Sequence, residues 1–300
     1  MKKNEIFIAI GPPKTATGWL YKTLKQHPDV FLPLDKEIRY FWAREFLGKS
    51  NLTKKLFGKH WHYRGKRRYL KRRIKNHLSS LVSGSVNFHD IWWDFKYFFS
   101  TENDRWYLSL FDKNKLSGDI TPKYSELPEK AIEKISSLYP DAKIIISLRS
   151  PIDREWSRAK MNLMKKKGID DYTKVDISLF KEEFRDDLQH QANDYVNLVK
   201  RWKKYFPEEN VLVFFYEELL DDPNKLLNNI CNFLKIKPIE FKEATRKVNP
   251  GVKQEIPVYF KQQLIDLNYP FMVKMPEYFE SEYPAQWLKE CARDTDIERR

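Results

Sequence analysis

Three hundred residues are enough for a substantial core, and on length alone they fit either two domains or one α/β domain with an insertion. The chain carries 55 Lys and Arg against 42 Asp and Glu, a formal net charge of +13, which favours an anionic ligand or an anionic surface. Cys231 and Cys291 have no ligand-type spacing, which argues against a thiolate zinc site or a disulfide scaffold and points to a reducing compartment, with the cytosol as the expected location.

No apolar run approaches the ~18 to 20 residues of a membrane span. Met1-Lys2-Lys3 followed by Ile6 to Ile10 is too short for a signal peptide, so the N-terminus is expected to belong to the fold and the Asn51-Leu52-Thr53 sequon to stay unglycosylated. Ile6 to Ile10 itself, short and β-branched and fenced by Gly11-Pro12-Pro13, reads as a buried strand. From Gly18, apolar residues at Trp19, Leu20 and Leu24 indicate a helix. Strand, small-residue turn and helix N-terminus together form an anion-binding geometry, to which Lys14 adds a mobile charge. The loop is neither a Walker A nor a Rossmann sequence, because Pro13 stands where the former needs glycine. An ordinary turn with a solvated lysine is the alternative at this point.

Further along, residues 59–75 interleave cations with aromatics, a composition suited to an anionic polysaccharide, a nucleic acid or simply a solvated basic helix. His60 and His62 read as part of that basic surface rather than as a metal site. The aromatic cluster His89, Trp92, Trp93, Phe95, Tyr97, Phe98 and Phe99 either walls an acceptor cleft or anchors this region to the core. Lys143 to Leu148 and Asn210 to Tyr216 read as buried parallel strands, preceded by helical patterns over Glu129 to Leu138 and Ala192 to Tyr205. Asp221-Asp222-Pro223 then starts another helix. The class is α/β, with a central parallel sheet flanked by helices. At the carboxyl end of the Lys143 to Leu148 strand, where open sheets bind ligands, Arg149-Ser150-Pro151 enters a helix bearing Ser157. Arg149 and Ser157 could meet one phosphate, or could be a surface arginine and a capping serine.

Pro13 to Leu20 and Arg149 to Ser157 together resemble the two signature segments of the sulfotransferases that use 3′-phosphoadenosine 5′-phosphosulfate (PAPS), of the forms P-K-[ST]-[GA]-T-[TS]-[WS]-L and R-[DN]-P-x-[ED]-R-x-x-S. Val211 to Leu219 with Asp222-Pro223 is similar to that family's strand ending in Y-E-D-L, which brings in Tyr216. The resemblance covers the chain except about residues 43 to 105, and implies one P-loop-like, three-layer domain over 1–300 with a basic, aromatic helical insertion there. It implies PAPS as donor, 3′,5′-adenosine bisphosphate (PAP) as product, and no metal. Lys14 would contact the bridging and sulfuryl oxygens, the Thr15, Ala16, Thr17 and Gly18 loop would hold the 5′-phosphate, Trp19 would pack near the adenine, and Arg149 and Ser157 would bind the 3′-phosphate. Asn249 to Gln254 is the loose counterpart of a late basic loop, with Lys253 as a 3′-phosphate contact.

Two branches of that family differ in their base. The segment Gly118 to Ser125 lacks the histidine of the phenol and steroid enzymes. His27-Pro28-Asp29-Val30 followed by Lys36-Glu37-Ile38-Arg39-Tyr40-Phe41-Trp42 is instead similar to the heparan sulfate branch, which implies Glu37 as general base. That branch also places a lysine where Ile120 stands here, so Lys36 or Lys123 is the substitute, and Asp119 is a weaker candidate for the base or for orienting the acceptor. The implied acceptor is a hydroxyl or amine, most simply of a sugar, and nucleic acid is not expected as a partner. A P-loop-type kinase and a non-catalytic glycan or nucleic-acid binder are the rival readings.

Overall fold

The computed structural model describes residues 5–167, 177–184, 192–242, 244 and 256–297. Five strands form one parallel sheet: β1 (Ile6–Ile10), β2 (Val30–Phe31), β3 (Leu116–Ile120), β4 (Lys143–Leu148) and β5 (Val211–Phe215), in the order β2-β3-β1-β4-β5. β1 lies centrally, with Ile8 beside Asp119 on one side and beside Ile144 on the other.

Alternation along the strands splits the core into two layers. Ile6, Ile8 and Ile10, with Ile144 and Ile146, face one cluster, while Phe7, Ala9 and Ile145 face the other. Helix α1 (Thr17–Leu24) covers the second layer through Trp19, Leu20 and Leu24, together with the helix Pro223–Leu234. The expected α/β class and parallel sheet are therefore observed. β2 and β3 escaped the sequence reading because one has two residues and the other, Leu-Ser-Gly-Asp-Ile, is polar in its middle. Gly118 is required there by packing: a Cβ would sit 2.1 Å from the Phe7 ring and 2.7 Å from Leu32.

The ends of two predicted elements move for capping reasons. Asp194 accepts from the Asn197 amide, so the helix expected from Ala192 runs over Tyr195–Lys203. The Phe215 amide donates to the Glu218 carboxylate at 2.8 Å, which ends β5 and makes Tyr216 the first residue of a short helix rather than the last of the strand.

Residues 43–105 fold as helices on the first core layer. Helix α2 (Tyr40–Leu47) leads to α3 (Leu52–Phe57), then to the hairpin of α4 (Trp61–Val82) and α5 (Phe88–Phe99), and α6 (Asp104–Ser109) returns to the sheet. Tyr69, Trp93, Tyr97, Phe98 and Trp106 join the same buried cluster as the sheet residues. At the base of the hairpin Glu102 pairs with Lys66 at 2.6 Å and Lys55 at 3.2 Å, all three side chains buried.

Candidate active site

The carboxyl ends of β1, β3 and β4 open onto one edge, where the loop after β1 carries Lys14 and Thr17, Lys36 reaches Thr17 beside Glu37, and Arg149 follows β4. After β1 the chain turns through Gly11 at φ +151°, where a Cβ would lie 2.4 Å from both the Ser147 carbonyl oxygen and Oγ, so only glycine fits. Lys14 and Ala16 also adopt positive φ, 83° and 72°, and curl the loop so that α1 begins at Thr17. Such left-handed residues are uncommon and cost energy, and here they are held by buried contacts. The Thr15 hydroxyl donates to the Pro12 carbonyl at 2.9 Å and meets Ser147 Oγ of β4 at 2.7 Å. The result is a rigid cradle with the free amides of an eight-residue helix pointing out of it.

The second segment buttresses the first. Helix α8 (Pro151–Lys167) follows β4 directly, and Arg154, fully buried, reaches the Pro13 carbonyl with NH1 at 3.5 Å while its Nε donates to Asn193 at 2.8 Å. Arg149, just before α8, lies over the Tyr216 ring at 4.5 Å and 3.5 Å from Asp153. Its Nε is buried with no hydrogen-bond partner among the described residues, an orphan donor at the carboxyl edge of the sheet. Ser157 is half-buried on α8, two turns into that helix. Tyr216 supports the Arg149 guanidinium. Trp19 is buried and its indole N–H donates to the Ala244 carbonyl at 2.9 Å, so the structure uses it as core and as an anchor for residue 244. Lys253 lies outside the described residues.

On the other side of the cradle, the loop between β2 and α2 carries the carboxylate. The Tyr21 hydroxyl of α1 donates to the Pro33 carbonyl at 2.8 Å and fixes the start of this loop. Lys36 Nζ donates to Thr17 Oγ1 at 3.2 Å and lies 3.6 Å from Glu37 Oε1, linking the loop after β1 to the carboxylate. Arg39, at φ 57°, grips Glu37 Oε2 through Nε at 2.9 Å and through NH2. Burial pushes the Glu37 carboxyl up, but the charges of Arg39 and Lys36 outweigh it and hold it below the ordinary carboxylate range. Burial lowers the Lys36 ammonium. With a quarter of its side chain exposed, Glu37 is ionised and reachable.

Two expectations are corrected. Asp119 is not open to the site edge: it is fully buried and accepts from Tyr107 and Tyr124 at 2.8 and 2.9 Å and from Thr121 at 2.7 Å. Burial raises its carboxyl to about 6 in spite of those donors. It is a structural hub that ties β3 to α6 and, through Tyr124, to α2. His62 is not on a basic surface either; it is buried at the start of α4, and burial with the Lys66 and Arg39 charges drives it down to about 3, a neutral imidazole. Among the described residues no group of three His, Cys, Asp or Glu side chains is placed to hold a metal.

Lys123 lies beside the site but is paired with Glu126 at 2.5 Å, leaving Lys36 as the lysine that touches both loop and carboxylate. The sequence reading missed Arg39 and Arg154, although both sit inside the segments it quoted. It also missed Trp61, whose ring lies 5.4 Å from the Arg39 guanidinium and 6.0 Å from Lys123 Nζ. The histidine of the His27-Pro28-Asp29 step is structural. Its Nδ1 accepts from the Asp29 amide at 3.1 Å, so Nε2 carries the proton donated to the Lys237 carbonyl at 2.8 Å.

A parallel sheet whose central strand runs into a helix-capped cradle, buttressed by an arginine from the helix that follows the neighbouring strand, defines a P-loop-like α/β fold. Residues 5–240 match the model of the sulfotransferase family, and the chain belongs to that family. It is 27% identical over 146 residues to human heparan sulfate glucosamine 3-O-sulfotransferase 6, an alignment covering 45% of this chain and 40% of that protein. It is 22% identical over 279 residues to mouse carbohydrate sulfotransferase 15, covering 82% of this chain and 46% of that one. The chain thus spans less than half the length of these curated relatives. A sulfotransferase structure from Alicyclobacillus acidocaldarius shares the fold, with a TM-score of 0.59 at 21% identity over 91% of this chain and 94% of that one.

Proposed function

We propose that this chain transfers the sulfuryl group of PAPS to a hydroxyl or amine of a carbohydrate acceptor, with Glu37 as general base. The observation that supports this most directly is the position of Lys36 Nζ, 3.2 Å from Thr17 Oγ1 of the phosphate loop and 3.6 Å from Glu37 Oε1. One cation therefore stands between the cradle for the leaving phosphate and an ionised carboxylate. The acceptor oxygen or nitrogen forms the new bond to sulfur as the bond from sulfur to the phosphate oxygen breaks, and Glu37 takes the acceptor proton. Lys14, Lys36 and the α1 amides oppose the charge that grows on the departing oxygen. The pattern is that of phosphoryl transfer, where positioning and electrostatics supply most of the effect. Arg149 fits the 3′-phosphate because its buried Nε lacks, among the described residues, a partner that a phosphate oxygen would supply.

The test has separate donor and acceptor arms. PAP without metal raises the melting temperature of the wild type, and Arg149→Ala removes that shift. A shift with ATP and magnesium in place of PAP overturns the donor. In a labelled-PAPS assay over a panel of sugar hydroxyls and amines, Glu37→Gln keeps the PAP shift and lowers kcat by about 10²- to 10⁴-fold, the usual worth of a general base. Full activity in that variant overturns the base assignment.

A further inference from the structure

The outer side of the α4–α5 hairpin is exposed, apolar and unused by the site. α5 leaves Phe88, Trp92, Phe95 and Phe99 exposed at i, i+4, i+7 and i+11, with Phe88 79% and Trp92 60% accessible. The Trp92 and Phe95 rings stack at 5.6 Å. α4 contributes Ile74, Leu78 and Leu81 at helical spacing, and Val82 at its end is 92% accessible. The other sides of both helices are occupied: Trp93 and Tyr97 face the core, and Arg73 pairs with Asp90 and Asp94 between the helices. Counted at about 100° per residue from those contacts, both stripes fall on the same side, away from the sheet. Beside the stripe, α4 carries eight Lys and Arg and no Asp or Glu, and Arg64, Arg68, Lys71, Arg72 and Lys75 are exposed.

We propose that this hairpin is a peripheral docking surface for an anionic lipid bilayer. The Trp92 and Phe95 stripe enters the boundary between headgroups and acyl chains, and the cations of α4 meet the lipid phosphates. Charge and shape together select this occupant. A second copy of the chain would bring two like-charged α4 helices together. A polyanionic sugar or a nucleic acid would answer the cations yet leave Ile74, Leu78 and Val82 in water. Only a surface with an apolar interior and anionic headgroups satisfies both halves. No helix among the described residues is long and apolar enough to cross a membrane.

Vesicle co-sedimentation of the full chain tests this, using vesicles of 70:30 phosphatidylcholine and phosphatidylglycerol against phosphatidylcholine alone. The wild type pellets with the anionic vesicles, its tryptophan emission shifts to the blue, and partitioning is at least about tenfold weaker on the neutral ones. The pairs Trp92→Ser with Phe95→Ser and Arg68→Glu with Lys71→Glu each lower partitioning by about tenfold or more while circular dichroism is unchanged, since all four side chains are exposed. Failure of the wild type to pellet overturns the proposal. So does undiminished pelleting of the Trp92→Ser, Phe95→Ser chain, which would mean charge alone, and so does a wild-type dimer in light scattering that this pair dissolves without any vesicle binding.

Discussion

On the β1 and β4 side of the sheet edge, shape comes from the backbone: a glycine that tolerates no Cβ, two left-handed residues, and a helix N-terminus. On the β2 and β3 side, shape comes from buried polar and ionic side chains that tie the helices to the strands. Tyr97 of α5 donates to Asp35 at 2.6 Å, Tyr107 and Tyr124 converge on Asp119, and Glu102 neutralises two buried lysines. A backbone cradle repeats wherever the same short motif folds, so it suits an invariant ligand group. A side-chain scaffold can be rebuilt by substitution, which suits a partner that varies. The consequence is that damage to one side should leave the other recognisable.

The strongest test of that separation is Glu102→Ala. It strands the Lys55 and Lys66 ammoniums in a buried site, and loss of one partner from a buried ionic cluster costs about 3 to 5 kcal/mol. Denaturant unfolding should show that loss, whereas PAP should still raise the melting temperature of the folded fraction. Abolished PAP stabilisation would mean that the two sides form one cooperative unit.

Asp119→Asn probes the same scaffold through pH. Burial raises the folded carboxyl from 3.8 to about 6, so the folded state binds the proton more tightly than the unfolded chain in that interval. Wild-type stability therefore falls as pH rises from about 4 to 6, and relative to Asp119→Asn the loss is about 3 kcal/mol. Urea midpoints of both chains at pH 4 and pH 7 measure it. A parallel pH dependence in the two would show that the three hydroxyl donors cancel the burial of Asp119.

The same division explains what could be read without a structure. β1, β4 and β5 were legible as short apolar β-branched runs, and Lys14, Thr17, Arg149 and Ser157 could be singled out because local backbone geometry fixes the spacing of the segments that follow β1 and β4. β2 and β3 were hidden because a two-residue strand and a Ser-Gly-Asp strand carry no hydrophobic periodicity. Arg39 and Arg154 stood in quoted segments, but nothing in the order of residues says that one grips Glu37 and the other reaches Pro13. The aromatic cluster of α5 split by helix face, Trp93, Tyr97 and Phe98 into the core and Trp92, Phe95 and Phe99 into solvent, so neither expected role covers all of it.

The finest discrimination lies in the clamp on Glu37. Burial and the Arg39 and Lys36 charges act on this carboxyl in opposite directions, and the charges prevail. A base must be ionised to accept a proton, so the acid limb of kcat/KM should lie below the ordinary carboxylate range and activity should be lost only as pH falls through that lowered value. Arg39→Gln removes one of the two cations and leaves burial in place, so the limb moves up and activity fails at a higher pH. At neutral pH the carboxylate is ionised in both chains, and the loss of the clamp should cost less than about tenfold in kcat, because the proton acceptor itself remains. A pH profile of labelled-sulfate transfer for the two chains measures both effects. An unmoved limb would mean that the group titrating in turnover is not Glu37, and would shift the search for the base to the cationic side of the loop.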